Sequence, residues 1–486
     1  IIYIIGYNRL MALRPDGSTI WSKDTGLRIY AEELSNKAKG KFHSFNYHPA
    51  TDSLVSVTKA GALFAFSRKT GELIAPIGQI PGAPAISGNG TNIPDFVLNK
   101  VDPLMDEAFG KTDEGLSLFS SAVNYIYGGG GIVTNFFSID ADTSRIYMAA
   151  TAEDAADGTE DGRSELGAIY ALDLVDDGKG RFEFQVLNRK TFQGGTGSTP
   201  ALSADGHRLY VSDNHGHVIA LDTELAEVWR LDVGEPLVGS ITVSADNNEL
   251  YAVTASDVIQ LIDNGDHGSR AWTAELAGFD GYANVDVQSN GLTATATANG
   301  VVIMIGGGKK LLGKTLMLHV GMGLLDRETG KLRYFTEGRE DSLAMSVVAA
   351  DGSIYVAHSP LRRAVGKAIY PELTPHVTGG IARYKPIRLD LLVRDATCAA
   401  EARAANASTL NQIAELAAIN TDIRQIKVLI KQASNAITKA VSDGDMITKD
   451  ANNLRNLLEQ SVVDLTPDGL KKSMTQLAMA CAVFDL

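Results

Sequence analysis

Residues 196–229 read TGSTPALSADGHRLYVSDNHGHVIALDTELAEVW. One short strand carries Leu209-Tyr210-Val211, and the next ends in Ala220-Leu221-Asp222. Apolar and polar residues alternate with period two, so each strand has a face for a core and a face for solvent. Gly and Asp at the turns supply the positive φ that tight hairpins need. The unit closes on an aromatic residue, Trp229.

The same unit recurs on both sides. Arg9-Leu10-Met11-Ala12-Leu13 leads through Pro15-Asp16-Gly17 to Trp21. Ala62-Leu63-Phe64-Ala65-Phe66 precedes Lys69-Thr70-Gly71-Glu72, and Ala168-Ile169-Tyr170-Ala171-Leu172-Asp173 precedes Asp177-Gly178. Further along stand Glu249-Leu250-Tyr251-Ala252-Val253, Val258-Ile259-Gln260-Leu261 and Trp272. Gly323-Leu324-Leu325-Asp326-Arg327-Glu328-Thr329-Gly330-Lys331 opens another copy. The last holds Ser353-Ile354-Tyr355-Val356-Ala357 and Gly379-Gly380-Ile381-Ala382-Arg383-Tyr384. A lone four-stranded unit cannot bury both its faces, but stacking units around an axis gives each face a neighbour. A period of about 40–45 residues is the length of one propeller blade.

These residues resemble the PQQ-like (quinoprotein-type) β-propeller repeat over roughly residues 1–385. Its signature is a strand with Tyr-Val, a strand ending Ala-Leu-Asp, a Thr-Gly-Glu/Lys turn and a Trp. The resemblance implies that Trp21, Trp229 and Trp272 pack between neighbouring blades, with Ile74, Phe184 and Tyr334 near that position in other copies. Seven copies are recognisable, and 84–131 leaves room for a degenerate eighth. That insertion also carries a predicted helix over 101–119 and the run Gly128-Gly129-Gly130-Gly131, which lacks the frame of a phosphate loop. Ile1-Ile2-Tyr3-Ile4-Ile5 already reads as a strand, so the sequence is expected to begin inside the first blade.

Past about residue 386 the period changes. Ile423, Ile430 and Ile437 are seven apart, with Ile426, Ala433 and Ala440 three later, a seam for helix–helix packing. Helices are expected near 396–417, 421–441, 448–464 and 467–483. Asn420 and Thr466 are suitable N-caps, and Pro467 suits a first turn. The apolar Leu477-Ala478-Met479-Ala480-Cys481-Ala482-Val483-Phe484 needs a partner surface. Only two cysteines occur, Cys398 and Cys481, at opposite ends of this segment. A disulfide between them would close the segment on itself and stabilise it by about 4 kcal/mol. That bond would fit an oxidising compartment; two separate buried thiols are the alternative.

Formal net charge is -14, which argues against a nucleic-acid-binding surface, where phosphates demand clustered Lys and Arg, and suits a soluble chain. No apolar run reaches the ~20 residues of a transmembrane helix. The resemblance has catalytic members that hold PQQ and Ca²⁺ in the central funnel, where a carboxylate base works beside the quinone. Their alcohol-oxidising forms add adjacent cysteines, which this chain lacks. Non-catalytic relatives, including the lipoprotein of the outer-membrane assembly machine, are binding scaffolds.

The acidic stretch Glu153, Asp154, Asp157, Glu160, Asp161 and Glu165 has oxygen ligands of the kind calcium takes, with Asp154, Asp157, Glu160 and Asp161 as the candidates. It lacks the frame of a calcium loop and equally suits a solvated excursion between strands. His215 and His217 flank Gly216 near Asp213, and alternate strand residues share a face, so both imidazoles could serve a transition metal. A surface turn is the plainer reading. The sequons at Asn89 and Asn406 carry no weight.

The reading is a mainly β fold: a seven- or eight-bladed β-propeller over 1–386, with an insertion at about 84–131, then an α-helical C-terminal segment over 387–486. The expected role is a non-catalytic scaffold or binding protein whose helical tail docks a protein partner or self-assembles. The expected place is periplasmic or at the cell surface. A PQQ/Ca-dependent dehydrogenase with an atypical site is the alternative, and a metal-dependent propeller lyase or hydrolase a third class. No cofactor is expected with confidence: Ca²⁺ is admissible, PQQ is not expected.

Overall fold

The computed structural model describes residues 1–5, 9–14, 16–24, 40, 42–83, 103, 106, 131–153, 166–193, 195–237, 239–245, 248–276, 287–290, 293–297, 300–311, 314–338, 346–348, 354–358, 380–384 and isolated positions between 428 and 452. Seven antiparallel sheets occur among these residues, one for each repeat copy. The chain is mainly β, a seven-bladed β-propeller.

The first sheet joins β1 (Ile2–Ile5), β2 (Arg9–Leu13) and β3 (Thr19–Asp24). The second joins β4 (Phe42–His48), β5 (Ser53–Thr58), β6 (Ala62–Ser67) and β7 (Gly78–Gln79). The third is β8 (Val133–Ile139), β9 (Ile146–Thr151), β10 (Leu166–Asp176) and β11 (Phe182–Gln193). The fourth is β12 (Ala201–Leu202), β13 (Arg208–Ser212), β14 (His217–Asp222) and β15 (Glu227–Asp232). The fifth is β16 (Thr242–Val243), β17 (Glu249–Val253), β18 (Asp257–Asp263) and β19 (Gly268–Glu275). The sixth contains β20 (Val287–Asn290), β21 (Thr295–Thr297), β22 (Gly300–Leu311), β23 (Lys314–Leu325) and β24 (Leu332–Gly338). The seventh is β25 (Val347–Val348), β26 (Ile354–His358) and β27 (Gly380–Tyr384).

Two compact units divide the chain. One comprises Ile1–Lys331, Glu337–Ser346 and Ala357–Ile381. The other comprises Leu332–Thr336, Val347–Val356 and Ala382–Leu486; in it the Arg383 guanidinium lies 5.7 Å from the Tyr355 ring centroid.

In the first unit, period two becomes a core between blades. Leu10, Ala12 and Trp21 of the first sheet bury with Phe42, Leu54, Phe64 and Phe66 of the second. Val55, Leu63 and Ile80 bury with Ile146, Met148 and Tyr170 of the third. The third and fourth sheets share Tyr147, Ile169, Phe192, Leu209 and Ile219, and the fourth and fifth share Tyr210, Trp229, Leu250 and Ile259. Each fully buried aliphatic or aromatic side chain of this kind contributes about 1.5–3 kcal/mol.

One irregularity repeats. The register between the last two strands slips at Ala12/Leu13, Ala171/Leu172, Ala220/Leu221 and Gln260/Leu261. Such a bulge bends the outer strand and disrupts its free edge.

No helix is delimited among the described residues, and none there is long and apolar enough to cross a membrane. The helical segment expected over 387–486 therefore has no support from the fold. It lies outside the described residues apart from isolated positions such as Val428 and Thr438, whose backbone is helical. Cys398, Cys481 and almost all of the insertion 84–131, where an eighth blade was considered, also lie outside the described residues.

Candidate functional site

The three tryptophans occupy one position in three blades. Cross-strand register places Trp21 opposite Ala12, Trp229 opposite Ala220 and Trp272 opposite Gln260. Each indole leans on a tyrosine of its own sheet: Tyr3, Tyr210 and Tyr251, at centroid separations of 6.2, 6.0 and 6.0 Å. Each indole N–H then reaches the next blade. Trp21 Nε1 donates to Arg68 O at 3.1 Å, Trp229 Nε1 to Asp263 Oδ1 at 2.9 Å, and Trp272 Nε1 to Arg327 O at 2.8 Å.

The turn under the indole needs glycine. At Gly330 φ is +69°, and a methyl there would stand 2.7 Å from Trp272 Cε3. Asp326 Oδ1 shapes this turn by accepting from Glu328 N at 3.0 Å and Thr329 N at 2.9 Å. Thr-Gly in the repeat is therefore the seat of the neighbouring tryptophan.

In the third blade Asn188, not Phe184, faces Ala171 and holds the tryptophan position. Its amide donates to Glu224 O of the next blade, beside the Tyr147 hydroxyl, which donates to Thr223 O at 3.3 Å. Phe184 pairs with Leu174 and lies over the second blade, where a methyl on Gly78 would stand 2.8 Å from its ring. The bulge at Leu187 is the one seen in the tryptophan blades; the longer β10–β11 hairpin is what displaces the motif beyond what spacing alone shows. In the second blade Ile74 takes the place, its amide donating to Ala65 O at 2.9 Å.

Small hydroxyl and amide side chains tie the first strands and the segments entering them. Asn135 Nδ2 donates to Gly197 O at 2.6 Å, and the Ser138 hydroxyl donates to Pro200 O. Thr199 N donates to Ser240 Oγ at 2.8 Å, and Thr242 Oγ1 to Ala294 O at 2.6 Å. Ser346 Oγ donates to Thr295 Oγ1 at 2.8 Å. On the same seam His43 stacks on Phe136, with centroids 5.5 Å apart and planes at 8°. Burial, and then Lys59, push the His43 imidazole down to about 3.

The histidine pair near Asp213 forms a turn. Asp213 Oδ1 accepts from His215 N at 3.0 Å and His217 N at 2.9 Å. Asp213 Oδ2 is 2.9 Å from His217 Nδ1 and accepts from Arg230 Nη1 at 3.2 Å. This buried carboxylate anchors the hairpin, and the His217 ring is committed to it through Nδ1. Arg230 also grips Glu227, holding that carboxyl below the ordinary carboxylate range. Among the described residues no group of three or more His, Cys, Asp or Glu side chains is placed to hold a metal ion. The candidate calcium ligands Asp154, Asp157, Glu160 and Asp161 lie outside the described residues.

Spacing alone did not single out the exposed apolar side chains on the outer rim of the second and third blades. Leu73 and Ile77 are 47% and 44% exposed, and Val186 and Leu187 are 39% and 40% exposed. The two blades meet where Phe182 N donates to Ile74 O at 3.3 Å and Phe184 covers Gly78. Leu73 pairs with Phe66 on the face toward the first blade, while Val186 pairs with Leu172 on the face toward the second. The signal in the sequence was the FEFQVL run of β11, in a hairpin longer than its counterparts in the neighbouring blades.

Over residues 149–364 the chain matches the family model described as outer membrane protein assembly factor BamB, which identifies its repeat as PQQ-like. Similar solved structures include BamB from Moraxella catarrhalis, 13% identical with TM-score 0.39, covering 75% of this chain and 94% of that one. Saccharomyces cerevisiae Sqt1 is 10% identical with TM-score 0.44, covering 72% and 74%. A chain of a mitotic checkpoint complex is 10% identical with TM-score 0.42, covering 73% and 80%. No curated protein matches the chain in sequence.

Proposed function

We propose that the chain is a non-catalytic propeller scaffold that binds a protein partner, in the periplasm or at the cell surface. The outer rim of the second and third blades exposes Leu73, Ile77, Val186 and Leu187, and this carries the reading, because such side chains gain free energy only when a partner removes them from water. The blades beneath are tied by tryptophan and hydroxyl contacts, so the rim is a rigid platform that loses little entropy on binding. The match to an outer-membrane assembly factor supports a partner that is itself a protein, one laying an apolar segment on the rim. The segment 387–486 supplies a second surface for docking or assembly, and no resident cofactor is part of this reading.

Native mass spectrometry of the protein purified from its own source tests it, with calcium and quinone assayed on the same sample. A stable complex that is lost from an Ile77→Glu/Val186→Glu variant with unchanged melting supports the scaffold. A PQQ-sized adduct with calcium, or a complex indifferent to the two substitutions, overturns it. Calcium bound without quinone and abolished by Asp157→Asn/Asp161→Asn would assign the acidic stretch as a structural ion site.

A further inference from the structure

Three consecutive blades place a charged residue two positions before the tyrosine of the second strand: Arg145 before Tyr147, Arg208 before Tyr210 and Glu249 before Tyr251. Each faces the turn after the third strand of the next blade. Arg145 Nη1 is 2.7 Å from Glu224 Oε1, and Arg208 Nε is 3.7 Å from Asp263 Oδ2. Between the fifth and sixth blades the polarity reverses. Glu249 Oε2 accepts from Arg327 Nη2 at 2.8 Å and Nε at 3.0 Å.

The reversal is positional. Arg327 lies two residues past Leu325, as Asp263 lies two past Leu261. Both positions also receive the tryptophan of the preceding blade. The surroundings are adapted to the swap: Arg327 Nη1 donates to Thr297 O at 3.2 Å, its Nη2 to Ser244 Oγ at 3.0 Å, and the Tyr251 hydroxyl to Glu249 Oε2 at 2.5 Å.

We infer that this reversed pair specifies blade order during folding. Consecutive blades share one shape and one tyrosine–tryptophan–turn contact, so packing alone distinguishes poorly between neighbours. Charge does distinguish them. Placing the fourth blade on the sixth brings Arg208 against Arg327, and placing a fifth-type edge on the fifth blade brings Glu249 against Asp263. Like charges at a half-buried contact repel more than they do in water, which rejects the wrong neighbour.

The test is refolding of the full chain from denaturant, scored as the yield of monomer with native tryptophan fluorescence. The informative variant is the double swap Glu249→Arg/Arg327→Asp, which copies the polarity of the preceding interface. It keeps an attractive pair but loses the donations to Thr297 O and Ser244 Oγ, so it is expected to melt lower than the natural chain, and to refold with several-fold lower yield than Glu249→Gln. The single Glu249→Arg is expected to lower both quantities, and Glu249→Gln to lower melting more than yield. A double swap that refolds at the natural yield overturns the inference and leaves an ordinary local pair. A double swap whose yield falls no further than that of Glu249→Gln overturns it too, because the loss then follows local stability alone.

Discussion

The Trp229 indole nitrogen donates to the Asp263 carboxylate of the next blade at 2.9 Å, and the same carboxylate accepts the Tyr210 hydroxyl at 2.6 Å. Burial and this hydrogen bond push the Tyr210 phenol up. One acidic side chain thus collects both aromatic groups of its neighbour. Trp229→Phe keeps the ring and removes the donor, and is expected to cost about 1.5–3 kcal/mol, the range for hydrogen bonds to charged groups. Trp272→Phe, whose acceptor is the Arg327 carbonyl, should cost less, about 0.5–1.5 kcal/mol. Denaturant midpoints of the two variants make the comparison.

Gly330 and Gly178 both have positive φ, +69° and +75°, but only Gly330 sits under an indole. Gly178→Ala meets nothing within 4 Å, so it carries the conformational penalty alone, roughly 1–2 kcal/mol. Gly330→Ala adds the collision with Trp272 and should cost about 1–3 kcal/mol more. Thermal melting of the pair reads the difference. Equal losses would mean that the tryptophan seat yields without strain.

Acid should loosen the seam at His43 and His48. Both imidazoles are pushed below their ordinary value chiefly by burial, His43 to about 3. The fold therefore favours the neutral rings. Their contribution is complete above the unfolded value near 6.5 and is lost as pH falls from there toward about 3. The stability curve of the natural chain should steepen over that interval, by up to about 1.4 kcal/mol per pH unit for each proton taken up on unfolding. His43→Phe preserves stacking on Phe136 and should flatten the curve. An unchanged slope in that variant would remove His43 from the account.

Ser240 Oγ accepts the Thr199 amide, linking the entry to the fifth blade with the fourth. Ser240→Ala leaves that amide without its partner and should cost about 1–3 kcal/mol. Exchange of the Thr199 amide hydrogen should accelerate more than that of the β13 and β14 amides, which would place the damage at the seam.

Much of this was readable in the residues. Seven copies and their order follow from period two and from Gly and Asp at turns, because both signals are local. Thr70-Gly71 and Thr329-Gly330 marked turns before any partner was known. Trp21, Trp229 and Trp272 stood out by spacing alone. The histidine pair was visible too, but its meaning was not. Asp213 turned both histidines into the scaffold of a hairpin, a decision made by the Arg230 and His217 contacts.

By itself the sequence determined the repeat, the propeller class and the tryptophan positions, since each arises from residues within one blade. The tertiary structure decided what each position touches. Asn188 took the tryptophan position because the long β10–β11 hairpin moves the residue opposite Ala171 further along the chain, a change of loop length that leaves no fixed spacing in the residues. Phe184 came to rest over Gly78 because the third blade's hairpin leans over the second. Arg327 found Glu249 across 78 positions of chain, and Trp229 found Asp263 across 34. Such contacts form between blades, and their charge and distance depend on stacking geometry that no local pattern encodes.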